Sequence, residues 1–144
     1  MNEIGEIINH LEPIKIGSLD NQGKLNGKGL ILDKNSENIK WLRIGNFKDD
    51  QLEGVGLKIF AGGESYLGNY KNDNMCKASI LENNGDRYFG QFDELTNERS
   101  GKGIIYYWTG DTFIGQFSKN LSFGECTYYW DNGSEEKGKY VNDK

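Results

Sequence analysis

Three consecutive stretches decide the fold. They are Gly85-Asp86-Arg87-Tyr88-Phe89-Gly90-Gln91-Phe92, then Gly101-Lys102-Gly103-Ile104-Ile105-Tyr106-Tyr107-Trp108, then Gly110-Asp111-Thr112-Phe113-Ile114-Gly115-Gln116-Phe117. Tyr88, Gly90 and Phe92 alternate at a period of two, which places both rings and the glycine on one face of a β-strand. The run from Gly103 to Trp108 is rich in β-branched and aromatic residues and reads as the return strand. The third stretch then restates the first: Gly-Asp, a ring, a glycine and a second ring, in the same order and spacing.

Working outward, Gly-x-aromatic (or its near equivalent) recurs at Gly45, Gly68, Gly90, Gly115 and Gly138, and in four of five copies an apolar residue precedes the glycine. An aromatic stands two residues earlier at Tyr66, Tyr88 and Phe113, and a turn glycine five earlier at Gly63, Gly85, Gly110 and Gly133. Nine residues before the turn glycine come small pairs, Gly54-Val55-Gly56, Cys76-Lys77-Ala78, Gly101-Lys102-Gly103 and Gly124-Glu125-Cys126, and Gly27-Lys28-Gly29 opens the series. Features repeating in phase define a repeat protein in which each unit is one β-hairpin. Strands are expected near 14–19, 28–33, 42–48, 55–61, 64–71, 77–82, 86–92, 102–108, 111–117, 124–130 and 134–140. Asn84-Gly85 and Asn132-Gly133 are the dipeptides that two-residue type I′ turns prefer.

The composition fits this organisation. The chain has 144 residues, with 20 glycines, one proline and eighteen aromatics (Phe 7, Trp 3, Tyr 8), which excludes both a collagen-like and a disordered chain. Glycine inside a strand costs stability unless something occupies the space it leaves, and a neighbouring ring laid over it does so. Cys76 and Cys126 stand where other units have glycine, so both read as small, size-matched substitutes; two cysteines fifty positions apart form neither a disulfide framework nor a metal motif.

The net charge of −5, with Lys and Arg scattered singly, argues against a nucleic-acid ligand. No apolar run reaches the ~18–20 residues of a membrane-spanning helix. The N-terminus has no secretory-signal pattern, which predicts a cytoplasmic setting. Residues 1–13 are expected to form a separate cap: Ile4, Ile7, Ile8 and Leu11 fall on one face of a short amphipathic helix over 2–11, with Asn2 as N-cap and Pro13 beyond it. That helix either covers the first unit of a repeat domain over 14–144 or docks on a partner. At the other end, the strand finishing at Tyr140 is an edge that a second copy or another protein could extend.

The ensemble Tyr-x-Gly-x-Phe, Gly-x-Gly and Asn/Asp-Gly-x-x-Tyr resembles the MORN (membrane occupation and recognition nexus) repeat from about residue 23 to 140. The departures are Arg43 and Glu136 in place of the first aromatic, Cys76-Lys77-Ala78 in place of Gly-x-Gly, and longer stretches at 35–43 and 93–100. The resemblance implies an all-β fold, an elongated, twisted antiparallel sheet of stacked hairpins. It also implies a scaffold without catalytic activity or cofactor, acting as a homodimer or as a subunit of cytoskeletal, ciliary or organellar assemblies. For some members it implies phosphoinositide binding.

The residues themselves offer little chemistry. His10 is the only histidine and lies outside the repeats, so neither a triad nor a His-based metal site has material. Glu64, Asp86 and Asp111 recur one residue after a turn glycine, which is simplest as turn hydrogen bonding. The Gly-x-Gly pairs precede strands and lack a Gly-Lys-Ser/Thr ending, unlike phosphate loops. No four clustered Lys/Arg mark an anionic-lipid site along the sequence. Tyr66, Tyr70, Tyr88, Phe92, Phe113 and Phe117 read as core, while Trp41, Phe89, Tyr106, Trp108, Tyr129 and the edge residue Tyr140 are the candidate partner-binding residues. The expectation is a protein–protein scaffold or adaptor. The alternatives are a bacterial immunity or antitoxin protein, for which the acidic stretch from Asp49 to Glu98 is suited, and a phosphoinositide-binding peripheral protein.

Overall fold

The computed structural model describes residues 12–34 and 38–144. The expected helix over 2–11, and with it most of the 1–13 cap, lies outside the described residues; Glu12 and Pro13 are exposed and belong to neither helix nor strand.

Eleven strands make one open antiparallel sheet in strict sequence order: β1 (Ile14–Leu19), β2 (Leu25–Lys34), β3 (Ile39–Lys48), β4 (Gln51–Phe60), β5 (Ser65–Lys71), β6 (Asn74–Leu81), β7 (Arg87–Phe92), β8 (Arg99–Tyr106), β9 (Thr112–Ser118), β10 (Leu121–Tyr129) and β11 (Glu135–Tyr140). At about 4.8 Å per strand the sheet is about 48 Å across. Among the described residues every regular element is a strand.

With one layer, the core has to be built by side chains packing sideways along one face. Leu25, Ile31, Phe47, Leu52, Tyr70, Met75, Ile80, Tyr88, Phe92, Phe113 and Phe117 are all buried on that face. Beneath the rings runs a row of small residues, paired strand to strand: Gly17, Gly29, Gly45, Gly56, Gly68, Ala78, Gly90, Gly103 and Gly115. Cys126, buried and paired with Gly138, completes the row. The tyrosine of β7 shows why the row is small: a Cβ on Gly103 would stand 2.5 Å from both Cε2 and Oη of Tyr88. The Tyr88 ring lies across β8 and meets Phe117 of β9 edge-on, with centroids 5.4 Å apart. Phe113 of β9 meets Tyr140 of β11 in the same way, at 5.6 Å.

The strands β4, β6, β8 and β10 begin three or four residues earlier than the sequence suggested. The tight two-residue turns are Asp49-Asp50, Asn72-Asp73 and Lys119-Asn120, in which both residues have positive φ (50° and 68°, 49° and 67°, 51° and 68°), the type I′ condition. Each turn clasps the preceding unit. Asp50 Oδ1 accepts the Leu25 N–H, Asp73 Oδ1 that of Leu52, Asn120 Oδ1 that of Arg99 and Asp143 Oδ1 that of Ser122, each at 2.7 Å. Asn97 does the same for Met75 at 2.9 Å.

Asn84-Gly85 and Asn132-Gly133 are not type I′ turns. In each, the glycine N–H donates to a carbonyl three residues back and only the glycine has positive φ (92° and 89°), so these are three-residue loops closed by a left-handed glycine. The acids after Gly85 and Gly110 tie successive loops together: Asp86 Oδ1 accepts the Trp108 N–H and Asp111 Oδ1 the Asp131 N–H, both at 2.9 Å.

Candidate functional site

Because strands alternate, burying Tyr88, Gly90 and Phe92 on one face sends Phe89 and Gln91 to the other. One residue before the small-row position on the odd-numbered strands and one after it on the even-numbered ones, a second row runs across all eleven strands on this open face. Its members are Ile16, Leu30, Ile44, Leu57, Leu67, Ser79, Phe89, Ile104, Ile114, Thr127 and Lys137. Eight of the eleven are apolar, and Leu67 at 53% and Phe89 at 46% are among the exposed ones. A monomer rarely leaves a contiguous apolar surface uncovered unless something docks there.

Across β7–β11 the open face forms a groove of about 870 Å³. Phe89, Ile104, Ile114, Thr127 and Lys137 line one side of it, and the small row from Gly90 to Gly138 runs between this side and the other. Lys77, Gln91, Lys102, Gln116, Glu125 and Lys139 line the other side. Lys77 Nζ sits 5.3 Å from the Phe89 ring centre, a cation–π distance. Gln91 Oε1 accepts the Lys102 backbone N–H at 3.0 Å, fixing one wall. Lys137 lies 3.4 Å from Glu135, an exposed and therefore weak pair. Lys77, Lys102 and Lys139 form no ion pair with another described residue.

The six residues singled out by sequence divide between the faces. Phe89, Tyr106 and Tyr129 are on the open face; Phe89 and Tyr106 share a hollow of about 510 Å³ with Ser79 and Arg87. Tyr106 and Tyr129 share a cross-strand row through Thr112. Trp108 is in the β8–β9 loop and 72% exposed. Trp41 is on the ring face, half-buried, edge-on to Phe60 at 5.5 Å, with Nε1 donating to Asp33 at 2.6 Å. Tyr140 is half-buried against Phe113.

Sequence reading passed over the apolar row and the lysines. The apolar residue before each repeat glycine was visible, but its outward direction follows only once the rings are known to define the buried face. The lysines are far apart in the chain and meet through the register: Lys77 pairs with Gln91 and Glu125 with Lys139, while Lys102 pairs with Gln116.

Titration behaviour follows packing. Burial pushes the Tyr88 hydroxyl up to about 12, against the nearby Arg99. Burial and then the Glu64 contact raise Tyr66 to about 12, and burial and then Asp111 do the same for Tyr128. Burial and then the neighbouring Glu94 raise the Cys76 thiol, which disfavours the thiolate. Both cysteines are free thiols. Among the described residues no three His, Cys, Asp or Glu side chains gather as a metal site, and no helix is long and apolar enough to cross a membrane.

The fold and the two rows define a class: an all-β, single-sheet hairpin-repeat protein with one packed and one open face. Compared with known families and curated proteins, the chain matches no family model and no curated protein.

Proposed function

We propose that this chain is a non-catalytic hairpin-repeat scaffold of the MORN type, working by protein–protein association through the open face of its sheet. Its setting is the cytoplasm, as a small subunit of a larger cytoskeletal, ciliary or organellar assembly. The observation that carries this reading is the row of eight apolar residues, five of them exposed, that runs over β1–β9 with one break at Ser79 while the opposite face holds the core. Rigid strands present the row without ordering cost, which favours docking.

The test is purification of the tagged protein from its native cells under mild conditions, beside a Phe89→Glu/Ile114→Glu variant. The reading expects a stoichiometric partner with the wild type, lost in a variant that melts like it. A wild-type protein that purifies alone as a monomer, or a variant that keeps the partner, overturns it.

A further inference from the structure

The open face is not uniform. The flanking row over β2–β5 is Lys28, Asn46, Val55 and Asn69, with one charge; over β6–β11 it holds Lys77, Lys102 and Lys139 with Glu125, and Lys137 stands beside it. In a chain of net charge −5, four lysines against one glutamate around a single groove is a local reversal of sign. The apolar row lies along the side of the groove opposite Lys77, Lys102 and Lys139, and Lys137 ends it.

We propose that the β7–β11 groove receives an acidic amphipathic α-helix of a partner protein, lying across the strands. Leu, Ile or Met side chains of that helix rest on Phe89, Ile104 and Ile114, and its Asp and Glu side chains meet Lys77, Lys102, Lys137 and Lys139. This rests on the open-face reading above and specifies its partner.

Three physical arguments select this occupant. Successive strands present their row residues about 4.8 Å apart, close to the ~5.4 Å helical pitch at which i, i+3/i+4 side chains recur. A bound strand would place same-face side chains about 6.6 Å apart and fall out of step. Five strands span about 19 Å, which a helix covers in about 13 residues. A groove with Phe89, Ile104 and Ile114 along one side and Lys77, Lys102 and Lys139 along the other fits a rod with an apolar face beside an acidic one. Charge complementarity then sets the sign and speeds the encounter.

The experiment pans the immobilised full chain against a random 16-residue peptide library at about 0.15 M salt, and measures the enriched peptides by fluorescence anisotropy. Enriched sequences are expected to be net acidic with apolar residues at i, i+3/i+4 spacing. Their affinity should fall about tenfold in Lys102→Glu/Lys139→Glu, less in Lys102→Gln/Lys139→Gln, and be lost in Phe89→Glu/Ile114→Glu. Neutral or basic enriched peptides that still need Phe89 and Ile114 overturn the acidic-helix proposal and leave the docking face standing. Enriched peptides insensitive to Phe89→Glu/Ile114→Glu, or no enrichment, overturn both. Flotation of the chain on vesicles containing phosphatidylserine through these lysines, or a dimer in sedimentation that Ile114→Glu dissociates, assigns the groove to a membrane or to a second copy and equally overturns the proposal.

Discussion

The two ends of the ring face fill one repeat position in different ways. Two residues before the small-row glycine stand Arg43 in β3, Tyr88 in β7 and Phe113 in β9. Arg43 is 7% exposed and reaches Asp33 and Asp73 with ion pairs of 2.9 and 2.7 Å, while its Nη1 also donates to the Asp50 carbonyl at 2.8 Å. Tyr88 is 1% exposed, packs edge-on to Phe92 and Phe117, and satisfies its hydroxyl on the Gln91 carbonyl at 3.0 Å. At all three a long side chain bends over the small row; Arg43 and Tyr88 also end on a satisfied polar contact, whereas Phe113 packs on Phe117 and Tyr140. Aromaticity is one solution. The ionic one ties together β2, β3 and the β5–β6 turn, whereas the aromatic one ties β7 to β9.

The sharpest break of this comparison is at the small row itself. Gly90→Val places a Cβ 2.5 Å from Tyr88 Oη, 2.7 Å from the Lys102 carbonyl and 2.8 Å from Gly103 Cα, two of which are backbone and cannot yield. A loss of about 3 kcal/mol or more is expected in denaturant melts. Gly138→Val, where the nearest atom is Tyr140 Cε2 at 3.8 Å, should cost far less.

Next in size is Arg43→Ala, which strands Asp33 and Asp73. Removing one partner of a buried pair costs about 3–5 kcal/mol, and the partial exposure of these carboxylates (23% and 28%) reduces this to about 2–3 kcal/mol. The loss should appear as early hydrogen exchange in β2–β4, with β7–β9 protected as in the wild type. Equal loss in both regions would contradict the division.

Extremes of pH sharpen the same comparison with smaller effects. The Tyr66, Tyr88 and Tyr128 hydroxyls have raised folded values of about 12. Their contribution is complete below the unfolded value near 10 and is lost as pH rises towards 12. Ultraviolet titration should show this delayed ionisation, with unfolding starting among the tyrosine-bearing strands. On the acid side, burial pushes Asp50 up, but the Leu25 N–H and Lys15 outweigh it and hold it below 3.8. Hydrogen bonds from Tyr128 and then Asp131 lower Asp111 as well. Stability from these two carboxylates, one in each region, is present above pH 4 and lost below it.

Strand order, the ring face and the repeat phase were legible because period-two alternation and in-phase glycines carry them. The ladder from Tyr66 to Phe117 is where the rings placed it. The clasping turns were not legible: Asp49-Asp50 and Lys119-Asn120 hold non-glycine residues at positive φ, which composition reads as solvated polar loop. Trp41 lies an even number of residues before Gly45 and so shares the parity of the buried face, which the irregular unit at 35–43 obscured. Tyr140 follows Gly138 as Phe92 follows Gly90, so the ring phase carries it to Phe113 at the sheet edge. The lysine-walled groove could not be read along the chain, since register alone brings Lys77, Lys102 and Lys139 to one surface.

The most direct test sets two sequence neighbours against each other, because the account gives Phe113 to the core and Ile114 to the docking face. Thermal melts of Phe113→Ala and Ile114→Glu, each with peptide anisotropy, are the measurement. Phe113→Ala should lose about 3–5 kcal/mol, while Ile114→Glu should stay within about 0.5 kcal/mol of wild type and lose peptide binding. Comparable destabilisation by both, or undiminished binding by Ile114→Glu, would contradict a sheet with one packed and one docking face.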